Sequence, residues 1–375
     1  MAGLYIHIPF CKQACHYCNF HFSTSLTYKN DFVAALLKEI SLQREYLDEN
    51  TVETIYFGGG TPSLLQKADL TVILEKLHQE FRIAANAEIT LEANPDDMLS
   101  SSLSSWKQAG INRLSIGVQS FFEEDLRWMN RAHDASQAIQ SVRLAKQAGF
   151  TNISIDLIYG SPTLPDEHWR SNVEQALAFD IPHFSCYALT VEPKTPLFKM
   201  IALAKSPDVN PDDQARQFLL LMQWMEAAGY EHYEISNFAK PGQRSRHNTA
   251  YWQGKKYLGL GPSAHSYNGQ SRQWNIANNS GYIESLKKDE LLFETETLTP
   301  VQVLNEYIMT SLRTMEGIDL DDVAEKFGTK TSNTILANAG KYIHGSYLDK
   351  KNTALVLTKE GKLLADGIAA NLFFE

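Results

Sequence analysis

Cysteine is scarce in this chain: there are 4 in 375 residues, and three of them, Cys11, Cys15 and Cys18, fall inside one eight-residue span. That arrangement excludes a disulfide framework, because three clustered cysteines cannot all pair and Cys186 lies far away in an apolar stretch. Long hydrophobic runs are missing too. Nothing approaches the roughly 18 consecutive apolar residues of a membrane span, and the N-terminus lacks the basic and apolar regions of an export signal. Positive charge is in deficit, with 34 Lys+Arg against 44 Asp+Glu and a net charge of −10. This argues against a nucleic-acid partner and against more than peripheral contact with an anionic membrane. These absences lead to the expectation of a cytoplasmic globular protein, a setting in which clustered thiols stay reduced.

What is present reads as a parallel α/β protein. With 43% hydrophobic and 21% charged residues the chain can bury a sizeable core. Residues 4–8 form an apolar strand that runs into the cysteine loop. Phe32, Val33, Leu36, Leu37 and Ile40 recur at helical steps behind a cap at Asn30 or Asp31. A second strand at 51–57 ends in Gly58-Gly59-Gly60-Thr61-Pro62, and an amphipathic helix covers 70–81. The segment Gln108-Ala109-Gly110-Ile111 echoes 39 residues later as Gln147-Ala148-Gly149-Phe150, and again at Ala228-Gly229-Tyr230. Each glycine marks a helix end that turns left-handed into a strand. A further strand at 183–189 brings the count to about six, which predicts a partial (βα)6 barrel over residues 1–205. Chemistry in such a barrel gathers at the C-terminal ends of its strands.

A proline-rich linker (193–213) leads to residues 206–298, read as an extension of the barrel with a helix at 215–228, a strand at 231–236 and a Gly/aromatic-rich stretch at 241–282. Residues 299–375 change character: helical patterns at 301–313, 321–327 and 331–342, a hairpin at 347–357 and a last helix at 359–373. This is a winged-helix-like α+β module. Its 8 Lys+Arg against 10 Asp+Glu lack the basic footprint of DNA binding, so it reads as a docking or lid element.

The spacing Cys-x3-Cys-x2-Cys sets the central question. Structural zinc takes four protein ligands, so His7, His16 or His21 would have to complete the set. A four-iron cluster takes one cysteine per iron, and three cysteines leave one iron open to an outside ligand. Plain reduced thiols are the third reading. Gly58 to Gly60 allow a ligand to approach the backbone closely, though a tight turn explains them equally well. Glu92, Gln119 and Asp156 each close a predicted strand, and together they suggest a polar ligand site. Arg131 can form a two-pronged contact with a carboxylate or an ordinary salt bridge.

Tyr5-Ile6-His7-Ile8-Pro9-Phe10-Cys11, the triple glycine with Thr61-Pro62, Glu92-Ala93-Asn94-Pro95, Ser115-Ile116-Gly117-Val118-Gln119-Ser120 and Asp156-Leu157-Ile158-Tyr159-Gly160 occur in this order. In order and spacing they resemble the coproporphyrinogen-oxidase-like branch of the radical S-adenosylmethionine (SAM) proteins, over essentially the whole chain. The resemblance implies a [4Fe–4S] cluster on Cys11, Cys15 and Cys18, with SAM chelating the open iron through its amino and carboxylate groups. It further implies that Tyr5, Tyr17, Gly59, Gly60, Thr61, Glu92, Gln119, Arg131, Asp156 and Ala188 line one or two SAM positions.

Within that branch, the coproporphyrinogen III dehydrogenases carry a further cysteine two residues after the third, where this sequence has Phe20. They also carry a long N-terminal extension, whereas four residues precede Tyr5 here. Arg246-His247-Asn248-Thr249-Ala250-Tyr251-Trp252 matches a His-Asn-x-x-Tyr-Trp motif linked to heme binding. Imidazole suits heme iron, and Tyr251 and Trp252 offer flat apolar surface. A histidine satisfied within a packed loop is the competing reading, and His265 is a second candidate. The resemblance thus implies a heme carrier that hands heme to acceptor proteins, respiratory cytochromes among the candidates. Oxidative decarboxylation of coproporphyrinogen III, or radical SAM chemistry on another substrate, are the alternatives.

Overall fold

Leu4, Ile6 and Ile8 alternate with Gly3, Tyr5 and His7, and this two-residue period recurs through the first half of the chain. The computed structural model describes residues 2–48 and 51–375. Strands and helices alternate: β1 (Ala2–Ile8), α1 (Lys29–Leu42), β2 (Val52–Gly59), α2 (Lys67–Glu80), β3 (Ile83–Ala93), α3 (Ser100–Ala109) and β4 (Arg113–Gln119). Then come α4 (Glu123–Trp128), α5 (Ala135–Gln147), β5 (Asn152–Tyr159), α6 (Asp166–Ala178) and β6 (His183–Ala188). The six strands pair in parallel in chain order.

One set of alternate side chains, including Leu4, Ile6, Ile8, Ile55, Phe57, Leu91, Leu114, Ile116, Ile155 and Phe184, is fully buried in the main hydrophobic core. Each such side chain contributes about 1.5–3 kcal/mol by leaving water. The other set includes Tyr5, Thr54, Tyr56, Glu92, Arg113, Ser115, Asp156, Ser185 and Tyr187. Parallel strands covered on both faces are ordinarily apolar throughout. Here one face is polar, and it lines the inside of the curved sheet.

The sheet continues beyond the six strands. After α7 (Pro196–Ala202) and α8 (Pro211–Ala227) come β7 (Glu231–Glu234), β8 (Asn237–Ala239), α9 (Arg246–Trp252), β9 (Lys256–Leu260), β10 (His265–Tyr267), β11 (Ser271–Asn275), α10 (Asn279–Lys287) and β12 (Phe293–Thr297). The strand order is β12-β11-β10-β9-β1-β2-β3-β4-β5-β6-β8-β7. β9 lies parallel to β1, a seventh parallel strand beyond the six in the sequence pattern. The glycines at the three echoed joints adopt left-handed backbone, with φ of 105° at Gly110, 81° at Gly149 and 80° at Gly229.

Four local expectations are corrected. Helix α1 starts at Lys29 behind Tyr28, so neither Asn30 nor Asp31 caps it; Asp31 sits in the first turn, where its charge suits the helix dipole. The stretch 193–213 is not a bare linker, since Thr195 caps α7. The strand expected at 231–236 folds back on itself as β7 and β8, because the Glu234 carboxylate accepts from the Ser236 N–H (3.0 Å) and from Asn237 Nδ2, closing a tight turn. The last helix is broken into α14 (Lys359–Lys362) and α15 (Ala365–Ala370). Exposed Leu363 and Leu364 give the gap nothing to pack on, and Gly361 lies so close to the Tyr347 carbonyl that a Cβ would sit 1.9 Å from it.

The C-terminal module follows the winged-helix order α11 (Pro300–Leu312), β13 (Ile318–Asp319), α12 (Leu320–Phe327), α13 (Thr329–His344), β14 (Leu348–Lys351), β15 (Ala354–Leu357). It has its own core of Leu304, Ile308, Val323, Ile335, Leu355 and Ile368. It docks through Arg313, which pairs with Glu234 at 3.0 Å and lies over the Trp252 ring, and through Arg272, which takes Glu306 with two nitrogens. No described helix is long and apolar enough to cross a membrane.

Glu39, on the buried face of α1, ties the first half of the sheet to the later strands. Its carboxylate accepts from the Gly261 N–H (2.7 Å), from Asn275 Nδ2 (2.6 Å) and from the Tyr282 hydroxyl. Burial pushes the Glu39 carboxyl up to about 7, although these donors pull the other way. Between the ordinary carboxylate range and pH 7 the folded state therefore holds a proton that the unfolded chain has lost, so stability falls as pH rises. Denaturation between pH 4.5 and 8 should show a loss of about 3 kcal/mol attributable to this group, at about 1.4 kcal/mol per unit. Glu39→Gln should remove that part of the slope; an unchanged slope would contradict the assignment.

Candidate functional site

The C-terminal ends of the parallel strands converge at one mouth. The cysteine loop leaves β1, and its shape is set by backbone bonds: Cys11 N–H to Ser23 O (3.0 Å), Ser23 N–H to Pro9 O (2.9 Å) and Cys18 N–H to Cys15 O (3.3 Å). The three thiols are half-buried and unpaired. Burial pushes the Cys11 thiol up to about 11, with a hydrogen bond from Thr61 opposing it, and raises Cys18 as well. A metal would have to supply the drive for their ionisation, as metal–thiolate binding does.

The segment after α4 grips this loop. Asn130, with φ 56°, donates to Ala14 O at 2.7 Å and accepts from Gln13, while His16 bonds Met129 O and Trp128 O. Arg131 reaches Cys15 Sγ and Tyr17 Oη, both at 3.4 Å, and donates to Asn94 Oδ1 (2.8 Å) and Gly117 O (2.9 Å). These contacts make Arg131 a brace between the cysteine loop and the ends of β3 and β4. One nitrogen, Arg131 Nε, is buried without a partner among the described residues.

The triple glycine follows from contact distance. Gly59 has φ +102°, and a Cβ there would lie 2.5 Å from the His7 ring; at Gly60 it would meet the Phe10 and Ile8 carbonyls at 2.6 and 2.7 Å. Thr61 is buried beside Cys11 and Asn94. Glu92 accepts from the Tyr56 hydroxyl at 2.8 Å, and burial, with the Asp156 charge adding to it, pushes its carboxyl up to about 7. Burial pushes Asp156 up to about 6 against bonds from Ser185 and Ser115. Gln119 ends β4 with φ 65°, a strained backbone of the kind that clusters at functional sites.

Tyr5, Glu92, Arg131 and Asp156 are hemmed in by protein yet keep accessible surface, and Tyr187 is 43% exposed. Dense surroundings plus accessible surface describe a concave lumen rather than a packed core. Deeper in, Arg113 is 1% exposed, with Nε and Nη1 unpartnered among the described residues. Such buried donors need a polar ligand or ordered water.

Ala188 is the one expected lining residue on the wrong face. It packs against the hydrophobic core, so only its backbone is available to the lumen, and Tyr187 beside it projects inward. Sequence reasoning missed Tyr56, Arg113 and Tyr187; the parity of each strand, counted from Tyr5, Glu92 and Asp156, would have found them.

The donor set fits an iron–sulfur cluster better than zinc. Among the described residues no three His, Cys, Asp or Glu side chains are arranged to hold a single metal ion. Of the candidate fourth ligands, His7 has both ring nitrogens engaged, Nε2 donating to His21 O (2.8 Å) and Nδ1 accepting from Tyr5; His16 donates Nδ1 to Trp128 O and His21 donates Nε2 to Asn279, each with one ring nitrogen. Three thiols without a fourth protein donor suit a cube with one corner left open.

The His247 motif lies at the other end of the lumen. His247 is 2% exposed, with Nδ1 2.8 Å from the Thr54 hydroxyl and Nε2 2.9 Å from the Tyr251 hydroxyl, and its ring stacks on Tyr56 at 5.0 Å. Burial, with Arg113 adding to it, pushes its pKa down to about 3. The expectation of an iron ligand here meets an imidazole with both nitrogens engaged. Tyr251 and Trp252 form no open platform, since Tyr251 packs on Tyr257 and Arg313 covers Trp252.

Comparison with known proteins agrees with this architecture. Residues 5–176 match the Radical SAM superfamily and residues 298–364 match the HemN C-terminal domain. The structure superposes on coproporphyrinogen III oxidase (HemN) from Escherichia coli with a TM-score of 0.86, at 24% identity over 99% of this chain and 90% of that one. Fold and site thus define a radical SAM protein, a class that implies SAM and a [4Fe–4S] cluster. The chain is 32% identical to the heme chaperone HemW of Bacillus subtilis over 98% of both proteins. It is 40% identical to the heme chaperone HemW of Escherichia coli over 70% of this chain and 69% of that one. It belongs to the HemW family.

The placement of His247 generates a stability prediction. His247→Ala should cost about 1–3 kcal/mol by leaving the buried Thr54 hydroxyl and its surroundings unpaired. Urea denaturation should show a lower midpoint; a loss below about 0.5 kcal/mol, the size of an ordinary surface effect, would contradict the packed-floor role.

Proposed function

We propose that the chain is a heme carrier: it holds a [4Fe–4S] cluster on Cys11, Cys15 and Cys18, binds SAM at the open iron, binds heme, and passes heme to acceptor proteins. The observation that carries this reading is the likeness, at 32% identity over 98% of both chains, to a protein named as a heme chaperone. Phe20 supports it: 65% exposed, it stands where the dehydrogenases of the resembling branch have a further cysteine.

In this reading Tyr5, Tyr17, Gly59, Gly60, Thr61, Glu92, Gln119, Arg131 and Asp156 border SAM, and Ala188 contributes through its backbone. A bound cluster would supply an electron-donating iron centre with one corner open to the SAM amino and carboxylate groups. Gly59 and Gly60 leave room for close approach, Glu92 and Asp156 accept hydrogen bonds from ligand hydroxyls, and Arg131 keeps the cysteine loop fixed. Acceptors are heme-requiring proteins, with respiratory cytochromes the suggested class, and the cytoplasm is the compartment that keeps the thiols reduced. The net charge of −10 speaks against nucleic acid as a partner.

The experiment is a paired assay on anaerobically reconstituted protein. Heme-loaded protein mixed with an apo-cytochrome should lose its heme absorbance to the acceptor. The same protein given SAM, reductant and coproporphyrinogen III should form no protoporphyrinogen IX. Robust turnover in the second arm would overturn the carrier reading in favour of oxidative decarboxylation.

A further inference from the structure

We propose that a groove along the outer face of α9 binds the carboxylates of the porphyrin through Arg246 and Lys255. The proposal rests on the heme-carrier reading and adds the residues that recognise the charged edge of the ligand.

The groove follows from the faces of one short helix. Along α9, His247 and Tyr251 lie four residues apart and meet on the inner face, where the Tyr251 hydroxyl is 2.9 Å from His247 Nε2. Arg246, Thr249 and Ala250 recur at steps of three and four on another face, and with Thr54, Arg244 and Lys255 they border a groove of about 380 Å³. That volume lies within the range of small-molecule sites. Ala2 and Glu53, at the starts of β1 and β2, also border it, so it opens at the end of the barrel opposite the cysteine loop. Thr54 joins the groove to the His247 motif, because the residue that lines it also places its hydroxyl 2.8 Å from His247 Nδ1.

The charge of the groove runs against that of the chain. Arg244, Arg246 and Lys255 line it against one carboxylate, Glu53, in a protein of net charge −10. Such a local surplus of cations draws an anion. The three cations are not equivalent. Arg244 is committed to Glu231 at 3.1 Å and Glu316 at 2.7 Å. Arg246 is positioned by Nη1, which donates to Asn86 O at 2.7 Å, while its Nη2 stays 3.7 Å from Glu53, beyond hydrogen-bond reach. Its guanidinium therefore keeps donors for a further carboxylate. Lys255 Nζ has no hydrogen-bond or ion-pair partner among the described residues, and its backbone is fixed by a bond from its N–H to Ala250 O at 3.0 Å.

A polar atom inside the groove also lacks a partner. Thr249 Oγ1 is buried and unpaired among the described residues. A ligand oxygen or an ordered water has to satisfy it. Two uncommitted cations and a hydroxyl stand beside the small residues Ala2, Gly242 and Ala250. That set suits a flat ligand with two carboxylates along one edge, the form of a porphyrin with its two propionates.

The test compares hemin with hemin dimethyl ester, whose carboxylates are blocked, in titrations of the full-length, cluster-reconstituted protein. Wild type should bind hemin saturably and at least tenfold more tightly than the ester. Arg246→Gln/Lys255→Gln should lose at least tenfold in hemin affinity and bind the ester as wild type does. Lys350→Gln/Lys351→Gln, which removes the same charge from the C-terminal hairpin, should bind hemin as wild type does. Unchanged hemin affinity in Arg246→Gln/Lys255→Gln, an equal loss for the ester, or an equal loss in the hairpin variant would overturn the groove assignment and leave the carrier reading intact. Absence of saturable hemin binding by wild type would instead overturn the carrier reading itself.

Discussion

One guanidinium governs the mouth of this barrel. Three cysteines within eight residues can present their sulfurs to a cluster only if the loop between them keeps one shape, and a loop of that length has little core of its own to do so. Arg131 supplies the constraint from outside. It touches Cys15 and Tyr17 while tied to Asn94 and to the Gly117 carbonyl, so the loop is referenced to the ends of β3 and β4. Its neighbour Asn130 takes left-handed backbone to reach Ala14, a modest strain that the surrounding bonds offset.

The second organising fact is the parity of the strands. The same alternation that buries Leu4, Ile6 and Ile8 against helices turns Tyr5, Glu92, Asp156 and Tyr187 into the lumen. The lumen then has two ends with different chemistry. At the mouth lie thiols, glycines that admit a ligand, and two carboxyls whose pKa burial raises toward neutrality. At the other end lie His247, Thr54, Glu88 and Arg113, with Arg313 of the C-terminal module over the neighbouring Trp252 ring. The His247 motif belongs to that end.

Much of this was legible in the sequence, for physical reasons that can be named. Cys11, Cys15 and Cys18 announce themselves because few chemistries need three thiols so close. Gly59 and Gly60 are required by contact distances that no other residue tolerates. The helix-ending glycines at 110, 149 and 229 reveal the repeating helix-to-strand joints. What escaped depended on long-range partners. That Arg131 also braces Cys15 shows only once the fold brings the two together. His247 reads as an available imidazole until Thr54, 193 residues away, meets its ring. β9 is five residues long and shows its allegiance only through pairing with β1. Ala188 and Tyr187 differ by one position, and one position in a strand reverses the face.

The central claim is that the three thiols leave one iron corner open to SAM. Electron paramagnetic resonance of the anaerobically reconstituted, reduced protein tests it directly, read with and without SAM alongside iron and sulfide content. The account predicts about four iron and four sulfide per chain and a [4Fe–4S]⁺ signal whose g-values shift when SAM is added. Stoichiometric zinc, or a cluster signal indifferent to SAM, would contradict it.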